Sequence, residues 1–515
     1  MSAEKHRSKS RTEYSLLNIA TGVGGYALSV VLSLINRMVF TRCLPAAYLG
    51  ISGLFSNVLS MLSLAELGVS GAIVYALYKP LAEHDEEKIA SLVRVFGTAY
   101  RTISLVMGAV GICLLPVLHL LIGEQPQIEE SIHLIYLIFL FDAAGSYFFT
   151  YRSTLLVAAQ KNYLVTGVTY LMQCILAVVQ AVFLYTTRNY LGYLIIQVSC
   201  SMITYIWISR IAVRHYPYIT RKDTKPLEPQ EKKKIFRDMR DLMAYKISGV
   251  LVNSTDNLII TYFSGLAATG MASNYTLLVN TLNSLLNQVF GGITASVGNH
   301  NVTENDDQIY EMYRFLNMMN FWCFGWAALG IYFCSSDLVM LLFGDSYVMD
   351  QSIPLVLAAS FYLSGITNVI GTYKHTMGLF RYGRFVQFFT AILNLGFSVL
   401  LGNLWGVFGV FLATVIARVC THLWYTPVVV YKYGFKRKAR EYFGEYVKQL
   451  GILIAAGLLC WLVMPFVCGS PLIRTVLKMI LCSVSANVVF IVAFARTSEF
   501  AKLKRYVVRY LPKVR

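Results

Sequence analysis

Charge is scarce in this chain. Of its 515 residues only 14% are Asp, Glu, Lys or Arg, against roughly 25% in an ordinary soluble protein. That shortage excludes a water-soluble domain of this length. The ten cysteines form no CxxC and no Cys/His spacing. Most lie inside apolar runs, as Cys113, Cys174, Cys200, Cys323, Cys460 and Cys482 do, which makes them small buried hydrophobes and leaves a metal site unsupported. Gly22, Gly24 and Gly25 form a glycine cluster, but no strand precedes it and no Gly-Lys-Ser/Thr follows, so a nucleotide loop is excluded and close helix approach remains. No ATP-binding motif and no nucleophile–base pattern stands out. The first apolar run is followed by no small-residue cleavage site, so a retained helix is expected there and not a removed signal peptide.

Apolar residues fill the space that charge leaves. They make up 56% of the chain, the mean hydropathy is +0.57, and runs of about 20 apolar residues recur, as in a polytopic membrane protein. The expected fold is all-α, with about 14 transmembrane helices. The first six are expected at about residues 14–40, 48–78, 89–122, 131–151, 163–186 and 190–211. The next six follow at 241–263, 270–298, 310–334, 352–379, 385–401 and 407–431, and a final pair at 450–467 and 472–495. Residues 1–13 then form a tail, 14–213 a first lobe, 214–240 a basic linker with Lys232, Lys233 and Lys234, and 241–431 a second lobe. Residues 432–449 are a basic loop before the final pair at 450–495, and 496–515 are a basic tail.

The net charge of +17 raises nucleic-acid binding, but the cations sit in short loops between spans, as the positive-inside rule requires. With this topology Arg42, Arg188, Arg474 and Lys478 face outside, and Arg37, Arg101, Lys246 and Arg418 lie within spans. The remainder of the 44 Lys and Arg fall on the inner side, which puts both termini in the cytoplasm. The four within spans would cost on the order of 10–14 kcal/mol facing lipid, at about 2.5–3.5 kcal/mol each, as much as a whole domain's stability. They are therefore expected to face protein or water. Three acids share their depth: Glu66, Asp142 and Asp256.

The stretch 36–89 organises the rest. An apolar helix carrying Arg37 turns at Cys43–Pro45 into a second apolar run with Glu66 at its middle, ending in Lys79-Pro80 and a charged loop. A weaker copy, DNLIITYFSGLAATGMASNYTLLVNTLNSLLNQ, occupies 256–288. Two copies of one hairpin carrying intramembrane charge point to a transporter of two similar lobes. An even number of spans separates the copies, so the lobes run in the same direction.

Residues 48–89, with YLGISGLFSN and LSLAELGVSGAIVYALYKPLAEHDEEKI, resemble bacterial polysaccharide-biosynthesis flippases of the multidrug/oligosaccharidyl-lipid/polysaccharide exporter superfamily. DNLIITYFSGLAATGMASNY at 256–275 looks like the second-lobe counterpart. The resemblance implies two six-helix bundles in a V around a central cavity. It also implies a polyprenyl diphosphate carrying a sugar or short glycan as substrate, moved from inner to outer leaflet in the bacterial plasma membrane by alternating access. Asn36, Arg37 and Arg42 are similar to the charged first-helix motif of related lipid II flippases, with neutral Asn36 beside Arg37 where an Arg–Asp pair is expected. In some fourteen-span branches the last pair borders a groove for the lipid tail.

Arg37, Arg101, Lys246 and Arg418 are the expected substrate-binding residues, since a diphosphate needs cations and guanidinium presents a planar fork to phosphate oxygens. The bland alternative pairs each with a buried acid. Glu66, Asp142 and Asp256 are candidates for that charge pairing or for coupling to sodium or protons. Arg94 and Arg152 are expected to reach for the inner headgroups, and Asp306 and Asp307 to be merely solvated. The asparagines around 274–287 suit sugar hydroxyls and interhelical hydrogen bonds equally. No catalytic residue, metal or cofactor is expected. The partners are the lipid-linked glycan, membrane lipids and envelope polysaccharide assembly proteins. Two other functions compete: an ion-coupled drug or cation antiporter of the same superfamily, whose cavity would carry acids without this excess of bases, and a membrane-embedded glycan polymerase or ligase, which would need a larger outer loop than about 335–351 and a catalytic motif.

Overall fold

A computed structural model describes residues 11–63, 83–118, 130–159, 161–221, 255–303, 305–377 and 386–510, with a few residues between these stretches. Among them the secondary structure is helical, without a strand. Glu66, Lys246 and most of the linker at 214–240 lie outside the described residues. By packing, the chain divides into two compact units, Met1–Ala267 and Ala268–Arg515.

The first unit holds α1 (Arg11–Cys43), α2 (Ala46–Leu62), α3 (Glu86–Cys113), α4 (Ile132–Ala158), α5 (Asn162–Thr187) and α6 (Tyr190–His215). Local chemistry sets the breaks. Pro45, at the N-cap of α2, separates it from α1, because proline has no N–H to continue a helical ladder. The Asp85 carboxylate accepts from the Lys88 backbone N–H at the start of α3, satisfying one of the first-turn donors. Arg188, at φ 51°, ends α5, and the Asn189 side chain accepts from Gly192 N–H to begin α6. Helix α1 packs on α5, α4 packs on both α3 and α6, and α5 packs on α6. Helix α3 stops well short of residue 122, giving way to a 3-10 turn at Leu115–Val117 that contains Pro116.

The start of α7 (Asp256–Thr303) also belongs to this unit. Gly50 sits against the Leu266 carbonyl so closely that a Cβ there would overlap it, and a Cβ on Gly53 would come within 3.4 Å of Asn257. The two stretches singled out in the sequence thus touch, and the residues that do so are glycines on α2.

The second unit is built on α8 (Asp306–Phe343), opened by a reciprocal Asn305–Gln308 capping box. Around it pack α9 (Ser352–Ile366), α10 (Asn368–Thr376), α13 (Arg440–Val463), α14 (Pro471–Phe494) and α15 (Ser498–Tyr510). Helix α11 (Val386–Cys420) packs on α9 and is followed by α12 (His422–Val429). The core is aromatic: Tyr313, Phe324, Tyr373, Tyr431 and Phe490 are all at 0% exposure. Two long helices are broken at glycines in positive φ, α7 at Gly265 (82°) and α11 at Gly406 (56°), where a side chain would be strained. At Gly406 the chain doubles back. Thr390 Oγ1 donates to Thr421 Oγ1 at 2.8 Å, Asn394 Nδ2 donates to Thr414 Oγ1 at 2.9 Å, and Gly409 lies on the Leu401 carbonyl. The two halves of α11 are therefore the antiparallel helices expected at 385–401 and 407–431.

Ten helices among the described residues are long and apolar enough to cross a membrane. Those of 24–28 residues reach about 36–42 Å at 1.5 Å per residue, beyond a hydrocarbon core of about 30 Å. The chain is a multi-pass, all-α membrane protein. Ion pairs mark both ends of α8. At one end Asp306 pairs with Lys436 (2.9 Å), Asp307 with Arg437 (2.7 Å) and Glu311 with Lys502 (2.8 Å). Toward the other end Asp337 pairs with Arg474 (3.0 Å) and Lys478 (2.6 Å). The loops expected on opposite sides of the membrane are thus held at opposite ends of one helix.

Two segments differ from the sequence expectation. Part of the basic loop 432–449 is helix, since α13 begins at Arg440. The tail from 496 is not simply a solvated basic tail: α15 runs through Tyr510, stacks Phe500 on Trp322 (centroids 6.1 Å, planes 7° apart) and pairs Glu499 with Arg314 at 2.7 Å. Its charges alternate with apolar residues at helical spacing, so one face packs on α8 while the other stays polar.

Candidate functional site

In the first unit, α1 presents Asn36 and Arg37. Asn36 Nδ2 donates to Gln180 Oε1 at 2.9 Å and to the Tyr193 hydroxyl at 3.4 Å, and Gln180 Nε2 donates to the Tyr193 carbonyl at 3.2 Å. Arg37 lies close enough to the Tyr193 hydroxyl to act on it electrostatically. Tyr193 stacks on Tyr190, whose hydroxyl shares a 2.7 Å hydrogen bond with Ser52. Tyr48 packs on Tyr190 at 4.7 Å and donates to Glu130 at 2.5 Å. The neutral Asn36 thus joins α1 to α5 and α6 and leaves the charge of this turn to Arg37.

Next to this cluster α4, α5 and α6 line an open cavity of about 320 Å³, whose wall mixes Thr169, Gln173, Gln197 and Ser201 with Phe149, Met172, Leu176 and Ile208. Asp142 hydrogen-bonds Ser201 of that wall, and its Oδ1 is buried and accepts no hydrogen bond from the described residues. Asp142 forms no ion pair among the described residues.

Arg101 is exposed on α3, together with Arg94, Thr98 and Thr102, while the exposed residues further along that helix are apolar (Leu105, Val106, Val110). A polar half-face of that kind belongs to water or headgroups. The structure does not bring Arg101 to the Asn36–Tyr193 cluster. Arg152 Nε donates to Tyr151 Oη and Nη1 to Ser209 Oγ, both at 3.0 Å.

In the second unit Arg418, within the second half of α11, donates from Nη1 to the Ser360 carbonyl at 2.8 Å and reaches its hydroxyl at 3.3 Å. His422 begins the next helix, and both Arg418 and Lys374 lie near enough to act on its ring electrostatically. Lys374 and His422 were missed in the sequence, although Lys374 falls inside the run expected to span at 352–379. The asparagine-rich helix receives one bond from another helix, Asn368 Nδ2 donating to Asn287 Oδ1 at 3.0 Å, and within the helix Asn287 Nδ2 donates to Asn283 Oδ1 at 3.1 Å. Asp306 and Asp307 are solvated as expected, at 60% and 88% side-chain exposure, yet each is ion-paired. Asp256 is half-buried at the start of α7. No group of three or more metal-ligating side chains occurs among the described residues.

Membrane-length helices with guanidinium groups in spans of both units, and a cavity inside one of them, define a polytopic all-α membrane protein with charge placed within its spans. The fold agrees. A solved structure of the lipid II flippase MurJ in an inward closed conformation superposes with a TM-score of 0.66 at 13% identity, covering 93% of this chain and 99% of that one. An inward-facing multidrug resistance MATE family transporter of the MOP superfamily superposes at 0.52 with 12% identity, covering 78% and 94%. An outward-facing MATE family transporter does so at 0.51 with 15% identity, covering 80% and 93%. The chain therefore has the fold of these MOP-superfamily transporters. No family model and no curated protein matches its sequence.

Proposed function

We propose that this protein is a flippase that carries a polyprenyl-diphosphate-linked sugar or oligosaccharide from the inner to the outer leaflet by alternating access. It would serve cell-surface polysaccharide assembly in the bacterial plasma membrane, with both termini cytoplasmic and envelope assembly proteins receiving the product. The observation that carries the reading is the placement of cations inside spans of both units: Arg37 beside Tyr193, and Arg418 near Lys374 and His422. Such groups are expensive in a membrane and mark a path for an anion. Guanidinium suits phosphate oxygens in a two-point contact. The fold shared with a lipid II flippase supports the same substrate class. The work is movement without covalent chemistry, so no catalytic group is assigned.

Two negative charges moving outward across 100 mV release about 4–5 kcal/mol, at about 2.3 kcal/mol per charge, so the membrane potential alone drives export. Asp256 resets the empty carrier by pairing with the bases that held the diphosphate, with sodium or protons as the competing ligands of that carboxylate. The test is reconstitution in vesicles with a fluorescent polyprenyl-diphosphate glycan, with the potential clamped independently of sodium and proton gradients. Leaflet exchange is expected in the wild type. It should fall at least tenfold in Arg37→Ala and Lys246→Ala, and less in Arg101→Ala and Arg418→Ala. No exchange by the folded wild type, alongside gradient-driven movement of a cationic drug, would establish the antiporter instead. Export that ignores the potential and follows one ion gradient would overturn the potential-driven part.

A further inference from the structure

The cavity among α4, α5 and α6 is the feature that the charged residues leave unexplained. Each helix gives it one stripe at helical spacing: Phe149 and Ser153 on α4; Thr169, Gln173 and Leu176 on α5; Gln197, Ser201 and Thr204 on α6. The outward stripes of the same helices are apolar and exposed, with Leu171, Ile175 and Val178 on α5 and Ile195 and Ile203 on α6. Residues two apart on a helix point about 200° apart. These stripes therefore turn away from the apolar exposed ones. Thr150, Ser153, Thr169 and Thr204 donate to backbone carbonyls of their own helices at 2.7–2.8 Å, which leaves the amides of Gln173 and Gln197 and the acceptor lone pairs of those hydroxyls for a polar group in the space between them.

The lining suits a neutral, amphipathic ligand larger than an ion. No Lys or Arg lines the cavity, so it is no second phosphate site. Its 320 Å³ equals the liquid volume of about ten waters, far more than one dehydrated cation occupies. Two amides and the acceptor lone pairs of several hydroxyls line it, Asp142 hydrogen-bonds Ser201 in its wall and keeps Oδ1 without a partner among the described residues, and the rings of Phe149 and Tyr205 offer an apolar face. That combination matches a sugar ring, which is polar around its rim and apolar across its C–H face. The cavity also continues from Arg37. Tyr193, which Arg37 faces, lies four residues before Gln197 on α6, a rise of about 6 Å. Gln180, bonded to Asn36, is on the same face of α5 as Gln173 and Thr169.

We infer that this cavity is a sugar subsite, holding the first ring of the glycan while Arg37, which acts on Tyr193 one turn before Gln197 on α6, holds the diphosphate. The inference rests on the flippase reading and adds to it the place where the glycan is recognised. Asp142 and Gln197 accept and donate hydrogen bonds to ring hydroxyls, and Ser201 orients the carboxylate.

The experiment is equilibrium binding to the full chain in nanodiscs, without ion gradients, of two probes: bare polyprenyl diphosphate, and the same lipid carrying a single N-acetylhexosamine. The wild type is expected to bind the sugar-bearing lipid about tenfold more tightly, the equivalent of 1.4 kcal/mol. Gln197→Leu and, separately, Asp142→Asn should erase that preference while leaving affinity for the bare lipid unchanged. Arg37→Ala should weaken both lipids together. Should Gln197→Leu fail to fold, Gln173→Leu at the exposed rim takes its place. Equal affinity of the wild type for both lipids, or a preference that survives the substitutions, overturns the subsite and leaves the flippase reading intact. Failure of both lipids to bind overturns both.

Discussion

Replacing Asp337 by alanine tests how α14 is fastened to α8. The carboxylate is 9% exposed and takes Arg474 Nε at 3.0 Å on one oxygen and Lys478 Nζ at 2.6 Å on the other. Removing one member of a fully buried ion pair costs about 3–5 kcal/mol, because a charge is left without its partner. Here the two cations keep 33% and 22% exposure, so water recovers part of that loss, and about 2 kcal/mol is the expected cost. The aromatic contacts of the same pair of helices remain, with Phe321 on Phe490 at 5.2 Å and Trp322 Nε1 donating to Asn487 at 2.7 Å, so the helix should loosen at one end and not detach. Thermal unfolding in detergent should fall on the order of 5 °C, at about 2–4 °C per kcal/mol for a unit of this size. The companion is the triple change Asp337→Leu, Arg474→Met, Lys478→Met, which removes the charges together and should recover most of the loss, since well-packed apolar groups replace a buried ion cluster at little cost. Unchanged melting of Asp337→Ala, or a triple variant as unstable as the single one, would refute the reasoning.

Gly50→Ala should lower the folded yield and cost about 1–3 kcal/mol by overpacking against the Leu266 carbonyl, whereas Gly108→Ala, where nothing lies within 4 Å of the added Cβ, should be neutral or stabilising; equal behaviour of the two in a size-exclusion and melting assay would remove the close contact. Gly406→Val should destabilise by about 1–3 kcal/mol because a β-branched residue resists a φ of 56°, which a melting curve can contradict by staying put. Single cysteines at Asp345 and Lys438, in a chain without its ten native cysteines, should label from opposite faces of the membrane, Asp345 outside and Lys438 inside; labelling of both from one face would end the topology.

How far the sequence reveals this fold depends on what each signal is made of. Apolar runs bounded by strong stop signals were legible to within a few residues, such as 163–186 against Asn162–Thr187 and 472–495 against Pro471–Phe494. The turn between 401 and 407 was legible too, because Asn403 and Gly406 interrupt an otherwise continuous run. Helix α15 was not, since a segment with alternating charge reads as a tail until a partner covers its apolar face, and Trp322 supplies that partner from 178 residues away in the chain. Ion pairs such as Asp307–Arg437, separated by 130 positions, are invisible to any local reading. Arg37 and Arg418 were legible because charge in an apolar run is rare. The cavity residues were not, because serine, threonine and glutamine in a span are individually ordinary. Only their recurrence on one face of three successive helices distinguishes them, and that periodicity could have been read from Gln197, Ser201 and Thr204 alone.

On the proposed function, the same contrast separates two jobs within the first unit. Charge attracts strongly and discriminates little. Arg37 would hold the diphosphate of a loaded lipid and that of a bare carrier equally well, because both present the same oxygens. Specificity is a difference between two affinities, so it has to come from contacts that only one of the two lipids can make. Neutral hydrogen-bonding groups suit that role, since a ligand lacking the hydroxyls leaves partly exposed amides to water, and a net hydrogen bond is worth about 0.5–1.5 kcal/mol. A flippase that took bare carrier as readily as glycan-bearing lipid would spend its cycles moving unloaded lipid. On this reading the arginine supplies the grip and the polar cavity supplies the choice. Substitutions in the cavity should therefore change which lipid is exported before they change how much.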